Sequence, residues 1–181
     1  MPTQEQSGPE SNIDFRLMSL TYKFRDLLLP RMSILKEVGI KAGSHVLDYG
    51  CGPGSYIKSL AQLVGKSGKI YALDVHPLAI RAVQRGVVRE RLANVQTILS
   101  DCKTGLPPAS VDVALLYDIL HDLGDYGTIL AELHRILKPN GVLSVSDHHL
   151  KEGEILPRVT SGGLFRLSAK GKRTFSFSRE E

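Results

Sequence analysis

His45-Val46-Leu47-Asp48-Tyr49-Gly50-Cys51-Gly52-Pro53-Gly54 is the stretch on which the fold turns. His45 to Tyr49 reads as a strand with an acid near its end, and three glycines at alternate positions follow. Tyr56, Ile57, Leu60, Leu63 and Val64 then recur at helical spacing. A strand, a glycine-rich turn and a helix hold nucleotide-like ligands for a physical reason. The glycines let the backbone come close, and the helix start offers free N–H groups. The spacing G-x-G-x-G departs from the dinucleotide fingerprint G-x-G-x-x-G. A second acid, Asp74, ends the next strand, 20 residues after Gly54. An acid there is placed to accept both ribose hydroxyls of an adenosine group.

Working outward, apolar β-branched runs alternate with segments of helical period. A Gly65-Lys66-Ser67-Gly68 turn leads into the second strand, Lys69 to Asp74. Pro77 suits the first turn of a helix whose inner face carries Ile80, Val83 and Val87. Val95 to Leu99 and Val111 to Tyr117 read as strands three and four. A helix with Ile129, Leu133, Ile136 and Leu137 on one stripe stops at Pro139-Asn140-Gly141, and strand five is Gly141 to Ser146. Leu164 to Ala169 and Arg173 to Ser178, around Lys170-Gly171-Lys172, suggest a closing antiparallel hairpin. Upstream, Ile13 to Leu29 and Met32 to Val38 read as two helices parted by Pro30. The expected fold is α/β: a doubly wound, Rossmann-like, mostly parallel seven-stranded sheet with a C-terminal antiparallel hairpin. Residues 12–181 form one domain after a disordered leader, 1–11.

Composition sets the class. The chain has 181 residues, 42% hydrophobic and 23% charged, as a globular domain does. No apolar run approaches the roughly 20 residues of a membrane helix, and residues 1–11 lack signal-peptide character. A cytoplasmic protein is expected. Cys51 and Cys102, the only cysteines, form no zinc pattern and read as reduced thiols. The net charge of +4 gathers partly in Arg166, Lys170, Lys172, Arg173 and Arg179. Their spacing on strand-like segments favours a solvated face over a nucleic-acid patch.

Over residues 40 to 150 the sequence resembles the class I S-adenosylmethionine-dependent methyltransferases, particularly the ubiquinone and menaquinone biosynthesis methylases. Lys41 to Gly54 resembles the first motif of that family, and Ile70-Tyr71-Ala72-Leu73-Asp74 the second. Ser100-Asp101-Cys102 falls where the family contacts adenine. Leu133-His134-Arg135-Ile136-Leu137-Lys138-Pro139-Asn140-Gly141 is similar to its helix-to-strand signature, with Asn140 in place of a glycine. The resemblance implies S-adenosylmethionine as cofactor, leaving S-adenosylhomocysteine. It implies that Asp48 orients the turn and the methionine amino group, and that Gly50 and Gly52 line methionine and sugar. Asp74 would clamp the ribose hydroxyls, Asp101 would accept from the adenine amino group, and the Cys102 backbone would add a contact. Tyr49, Cys51 and Val75 complete the cofactor-binding set, with Tyr117 beside the cofactor.

A ligand at the carboxyl ends of the strands meets the loops after strands four and five. These read Tyr117-Asp118-Ile119-Leu120-His121-Asp122-Leu123 and Asp147-His148-His149-Leu150. A base is needed only for an acceptor that starts protonated. His121 is the first candidate and His148 the second. His148 and His149, adjacent on an extended segment, should point opposite ways. Asp118, His121, Asp147 and His148 are metal-ligand residue types, but no local spacing demands an ion, and no metal is expected. No Asn/Asp-Pro-Pro-Tyr or Pro-Cys signature of nucleic-acid base methylation appears. A small-molecule acceptor is therefore favoured over DNA, with RNA and protein acceptors and a homodimer left open. Since 147–164 is short, the helices within 12–39 are expected to form the lid. The competing function is a module that binds S-adenosylmethionine or its product without turnover.

Overall fold

In the computed structural model, which describes residues 31–181, the anticipated order of elements is present. The helices are α1 (Arg31–Val38), α2 (Ile57–Val64), α3 (Pro77–Glu90), α4 (Tyr126–Ile136) and α5 (Glu152–Thr160). The strands are β1 (His45–Tyr49), β2 (Lys69–Asp74), β3 (Val95–Leu99), β4 (Val111–Tyr117), β5 (Leu137–Ser146), β6 (Phe165–Lys170) and β7 (Phe175–Arg179). They form one sheet in the order β3-β2-β1-β4-β5-β7-β6. β1 to β5 pair in parallel, and β7 runs antiparallel to both neighbours. Strand order reverses between β1 and β4, so a crevice opens at their carboxyl ends.

Alternation along the strands builds a core on each face. Leu47, Leu73, Ala114 and Leu116 face one way and pack with Ile129, Leu133 and Ile136 of α4 and Ile155 and Val159 of α5. Val46, Ala72, Val113 and Leu115 face the other way, with Leu35 of α1, Leu60 of α2 and Val83 of α3. Leu47, Leu60, Leu115 and Leu133 are fully buried, and each such side chain contributes about 1.5–3 kcal/mol of hydrophobic stabilisation. The strand residues are buried on both faces, which is why these strands read as near-continuous apolar runs.

Two expectations need correction. Strand five begins at Leu137, not Gly141. Leu137 pairs with Val111, the next pairing is Val142 with Val113, and the intervening residues bulge out of the ladder. Pro139-Asn140-Gly141 therefore interrupts a strand; the helix has already ended at Ile136. α5, which carries Pro157 inside it, has no counterpart among the expected elements. Burial of Ile155 and Val159 offsets the lost N–H, and the Glu154 carboxylate accepts from the Lys151 backbone N–H at 3.0 Å. The expected Ile13 to Leu29 helix and the 1–11 leader lie outside the described residues. Among those described, no helix is long and apolar enough to cross a membrane.

Part of the basic tail is paired within the molecule. Arg166 meets Glu180, Lys170 meets Glu152, and Arg179 donates to the Leu137 carbonyl. Cys51 is buried, Cys102 half-buried, and both thiols are free.

A polar tie anchors α4 to the loop before β4. Glu132 accepts from the Thr104 backbone N–H at 2.9 Å and from Arg135 Nε at 2.7 Å, while Arg135 donates to the Leu106 carbonyl at 2.8 Å. Arg135, with Thr104, pushes the Glu132 carboxyl down to about 2. Glu132→Gln should cost about 1–3 kcal/mol at pH 7. Because the folded pKa is depressed, this contribution is present above the ordinary glutamate value and fades as pH falls toward about 2. Chemical denaturation of both proteins at pH 7 and pH 3 checks it: the gap should narrow at pH 3.

Candidate active site

The turn after β1 is fastened to the end of β2. Gly50 and Cys51 donate backbone N–H bonds to the Leu73 carbonyl, each at 2.9 Å. Asp74 accepts the Gly52 N–H on Oδ2 and the His76 N–H on Oδ1, both at 2.8 Å. Gly50 (φ +72°) and Gly52 (φ +52°) occupy the left-handed region. A Cβ on Gly50 would lie 2.9 Å from Ile119 Cγ1, so the missing side chain lets the loop after β4 pack on the turn. A Cβ on Gly52 would meet nothing within 4 Å. The space over Gly52 is open.

Asp48 is 2% exposed, and its Oδ2 lacks a hydrogen-bond partner. Burial pushes its carboxyl up to about 7; the Asp74 carboxylate adds to the rise and Arg31 opposes it. An unpartnered, buried carboxylate oxygen is costly unless it receives a donor. Asp74 is also raised, chiefly by burial, although the His76 and Gly52 N–H groups oppose the rise.

The remaining cofactor candidates divide by depth. Tyr49 is buried, and its hydroxyl donates to the Asp101 carbonyl at 2.7 Å, tying β1 to the loop after β3. That loop exposes the Asp101 side chain, while the Cys102 N–H donates to Ser100 Oγ at 3.3 Å. Val75 is 60% exposed despite its apolar side chain. Tyr117 lies deeper than a surface contact. It is 5% exposed, shares a hydroxyl hydrogen bond with Ser144 at 2.9 Å and meets the Tyr56 ring edge-on at 5.2 Å. Sequence reading passed over Ile119 and Arg31. Neither has a motif; they are found by what they touch.

At the carboxyl ends of β4 and β5 the polar residues converge. Asp118 follows β4 at φ +53°, a conformation Asp tolerates better than most residues, and its N–H donates to the Ser146 carbonyl at 2.7 Å. His121 Nδ1 lies 2.8 Å from Asp147 Oδ2, and its Nε2 lies 3.2 Å from Asp122. His148 Nδ1 lies 2.8 Å from Asp118 Oδ1. The His148 and His149 rings are side by side, centroids 3.8 Å apart, and His149 is 4.2 Å from His121. They do not point opposite ways, because residues 148–150 bend rather than continue the strand. The bend is held by the His149 N–H donating to Asp147 Oδ1 at 2.9 Å.

Residues 40–166 match a family model described as a methyltransferase domain. The chain belongs to this methyltransferase domain family. A demethylmenaquinone methyltransferase of Geobacillus stearothermophilus is 30% identical over 126 residues, 69% of this chain and 54% of the relative. A ubiquinone/menaquinone biosynthesis C-methyltransferase of a Marinomonas species is 30% identical over 147 residues, 76% of this chain and 56% of its own length. The chain thus spans about half the length of these curated relatives. A solved S-adenosylmethionine-dependent methyltransferase of Aquifex aeolicus is similar at full scale. It has a TM-score of 0.76 and 27% identity, over 88% of this chain and 96% of that one. S-adenosylmethionine is the cofactor of this family. The unpartnered Asp48 Oδ2 and the open space over Gly52 fit such a ligand, which carries an ammonium and a sugar.

Proposed function

We propose that this methyltransferase domain transfers a methyl group from S-adenosylmethionine to a small molecule held at the loops after β4 and β5. The observation that carries the reading is the contact of Gly50 with Ile119, which sets the glycine turn directly beside the loop bearing Asp118 and His121. When bound, the cofactor supplies a methyl already activated on a sulfonium.

In this reading Asp48 Oδ2 accepts the methionine ammonium. Gly50 and Gly52 leave room for the methionine chain and sugar, flanked by Tyr49 and Cys51. Each Asp74 oxygen accepts one backbone N–H, leaving a lone pair on each for a ribose hydroxyl. Val75 lies under the adenine, whose amino group donates to Asp101, with the Cys102 backbone alongside. Tyr117 supports the pocket from beneath. His121 and His148 engage the acceptor. The chain's contribution is alignment and exclusion of water, which can supply roughly 7–11 kcal/mol of a barrier through proximity. The names of the relatives add quinols to the acceptors worth testing, and the imidazole and carboxylate groups suit an acceptor with an ionisable hydroxyl or thiol.

Incubation with methyl-labelled cofactor and a panel of quinols, phenols, thiols and amines tests this. Label should move to at least one class, and Ile119→Ala should lower transfer while S-adenosylhomocysteine still binds. Tight binding with no transfer to any acceptor would establish a binding module instead.

A further inference from the structure

The end of β4 and the end of β5 bring three metal-ligating atoms together. One oxygen of Asp118, one of Asp147 and an imidazole nitrogen of His148 all lie within 4.8 Å of one another. We infer that Asp118, Asp147 and His148 form a binding site for one divalent transition-metal cation, which holds the acceptor through its hydroxyl or thiol. The acceptor class rests on the methyl-transfer reading; the cation site stands on its own geometry.

The scaffold is rigid where it matters. Tyr117 and Ser146, the last residues of β4 and β5, are paired in the ladder. The ligands follow them immediately, and the Asp118 N–H donates to the Ser146 carbonyl at 2.7 Å. Around a cation bound at about 2.1 Å, neighbouring ligands sit about 3 Å apart and opposite ones about 4.2 Å. His148 Nδ1 is 2.8 Å from Asp118 Oδ1, the separation of two neighbouring ligands. Burial is graded across the site: the side chains of Asp147, Asp118 and His148 are 0%, 15% and 52% exposed. The cluster thus has a fixed inner wall and an open outer side, where an acceptor can complete the coordination.

Donor chemistry selects the ion. Two carboxylates and an imidazole suit zinc, manganese or ferrous iron, whereas magnesium and calcium favour oxygen alone and cuprous copper favours sulfur. Asp147 also accepts from His121 Nδ1 at 2.8 Å on Oδ2. That contact orients the carboxylate, the usual task of a group bonded to a metal ligand.

A bound cation lowers the pKa of a hydroxyl or thiol that binds it. The acceptor's proton leaves to water, and its oxygen or sulfur keeps the electron pair. That pair forms the new bond to the methyl carbon as the carbon–sulfonium bond breaks, leaving a neutral thioether. No oxidant or reductant is required.

The test uses the full, tag-free chain stripped of metal, with Asp118→Asn and His148→Ala as variants. Asn accepts the left-handed backbone at 118, and His148 is half-exposed, so both should fold with unchanged unfolding midpoints. Equilibrium dialysis against zinc, manganese and magnesium should give one equivalent of zinc or manganese. Each variant should weaken that binding at least tenfold, and the visible bands of the cobalt-loaded protein should shift in His148→Ala. No saturable binding, or binding untouched by both variants, overturns the site. S-adenosylhomocysteine affinity is measured on the same samples. Cofactor binding without cation binding overturns this inference and leaves the proposed function standing; cation binding without cofactor binding does the reverse. Chelation should abolish transfer to hydroxyl or thiol acceptors and leave any amine acceptor unaffected. Equal transfer with and without the cation overturns its role toward the acceptor.

Discussion

Asp74→Ala should weaken S-adenosylhomocysteine binding by about a hundredfold or more, measured by calorimetry at pH 7.5. Two charge-assisted hydrogen bonds to ribose hydroxyls are removed, each worth about 1.5–3 kcal/mol, and every 1.4 kcal/mol is a factor of ten. A second loss compounds the first. Asp74 also accepts the N–H groups of Gly52 and His76, both at 2.8 Å, so its removal loosens the turn that holds the ligand. Thermal unfolding separates the two effects. Asp74→Asn keeps one acceptor oxygen but sets its NH2 against one of these N–H groups, so both its affinity and its midpoint should fall between those of the wild type and Asp74→Ala. If Asp74→Ala binds as the wild type does, the ribose assignment is wrong.

The fold was legible because its signals are local. Lys69–Asp74 and Val95–Leu99 are short apolar runs bounded by turns, and Pro77 marks the start of α3 where the structure has it. Errors arose where tertiary packing overrides local preference. Pro157 lies inside α5 because Ile155 and Val159 gain burial, and Leu137 is drawn into β5 by its pairing with Val111. The site divides in the same way. Asp48, Gly50, Gly52 and Asp74 carry a motif with fixed spacing. Ile119 does not, because its role is created by the absence of a side chain on Gly50, 69 residues earlier. The convergence of Asp118 with Asp147 and His148 depends on β4 and β5 being neighbours in the sheet. Residue types named the candidates, but only strand order decides which of them meet.

Cofactor affinity should fall about tenfold per pH unit below about pH 7 and level off above it. The cause is Asp48, whose carboxyl burial raises from 3.8 to about 7. A raised acid is held protonated by the fold. As pH climbs from 3.8 toward 7 the unfolded chain releases this proton while the native state retains it, so the free protein loses stability across that window. A cofactor ammonium placed at Asp48 Oδ2 reverses the balance. It supplies the donor that this oxygen lacks and a positive charge that favours the carboxylate. Binding below pH 7 must therefore expel a proton, and the affinity is reduced by the cost of doing so. Calorimetry in buffers of differing ionisation enthalpy should record close to one proton released per S-adenosylhomocysteine at about pH 6 and almost none at about pH 8. Asp48→Asn should bind at least tenfold more weakly at pH 7.5, with the acid limb of the profile gone. A flat affinity from pH 5.5 to 7.5 in the wild type would remove Asp48 from the ammonium site. The glycine turn would then hold the cofactor by shape and backbone alone.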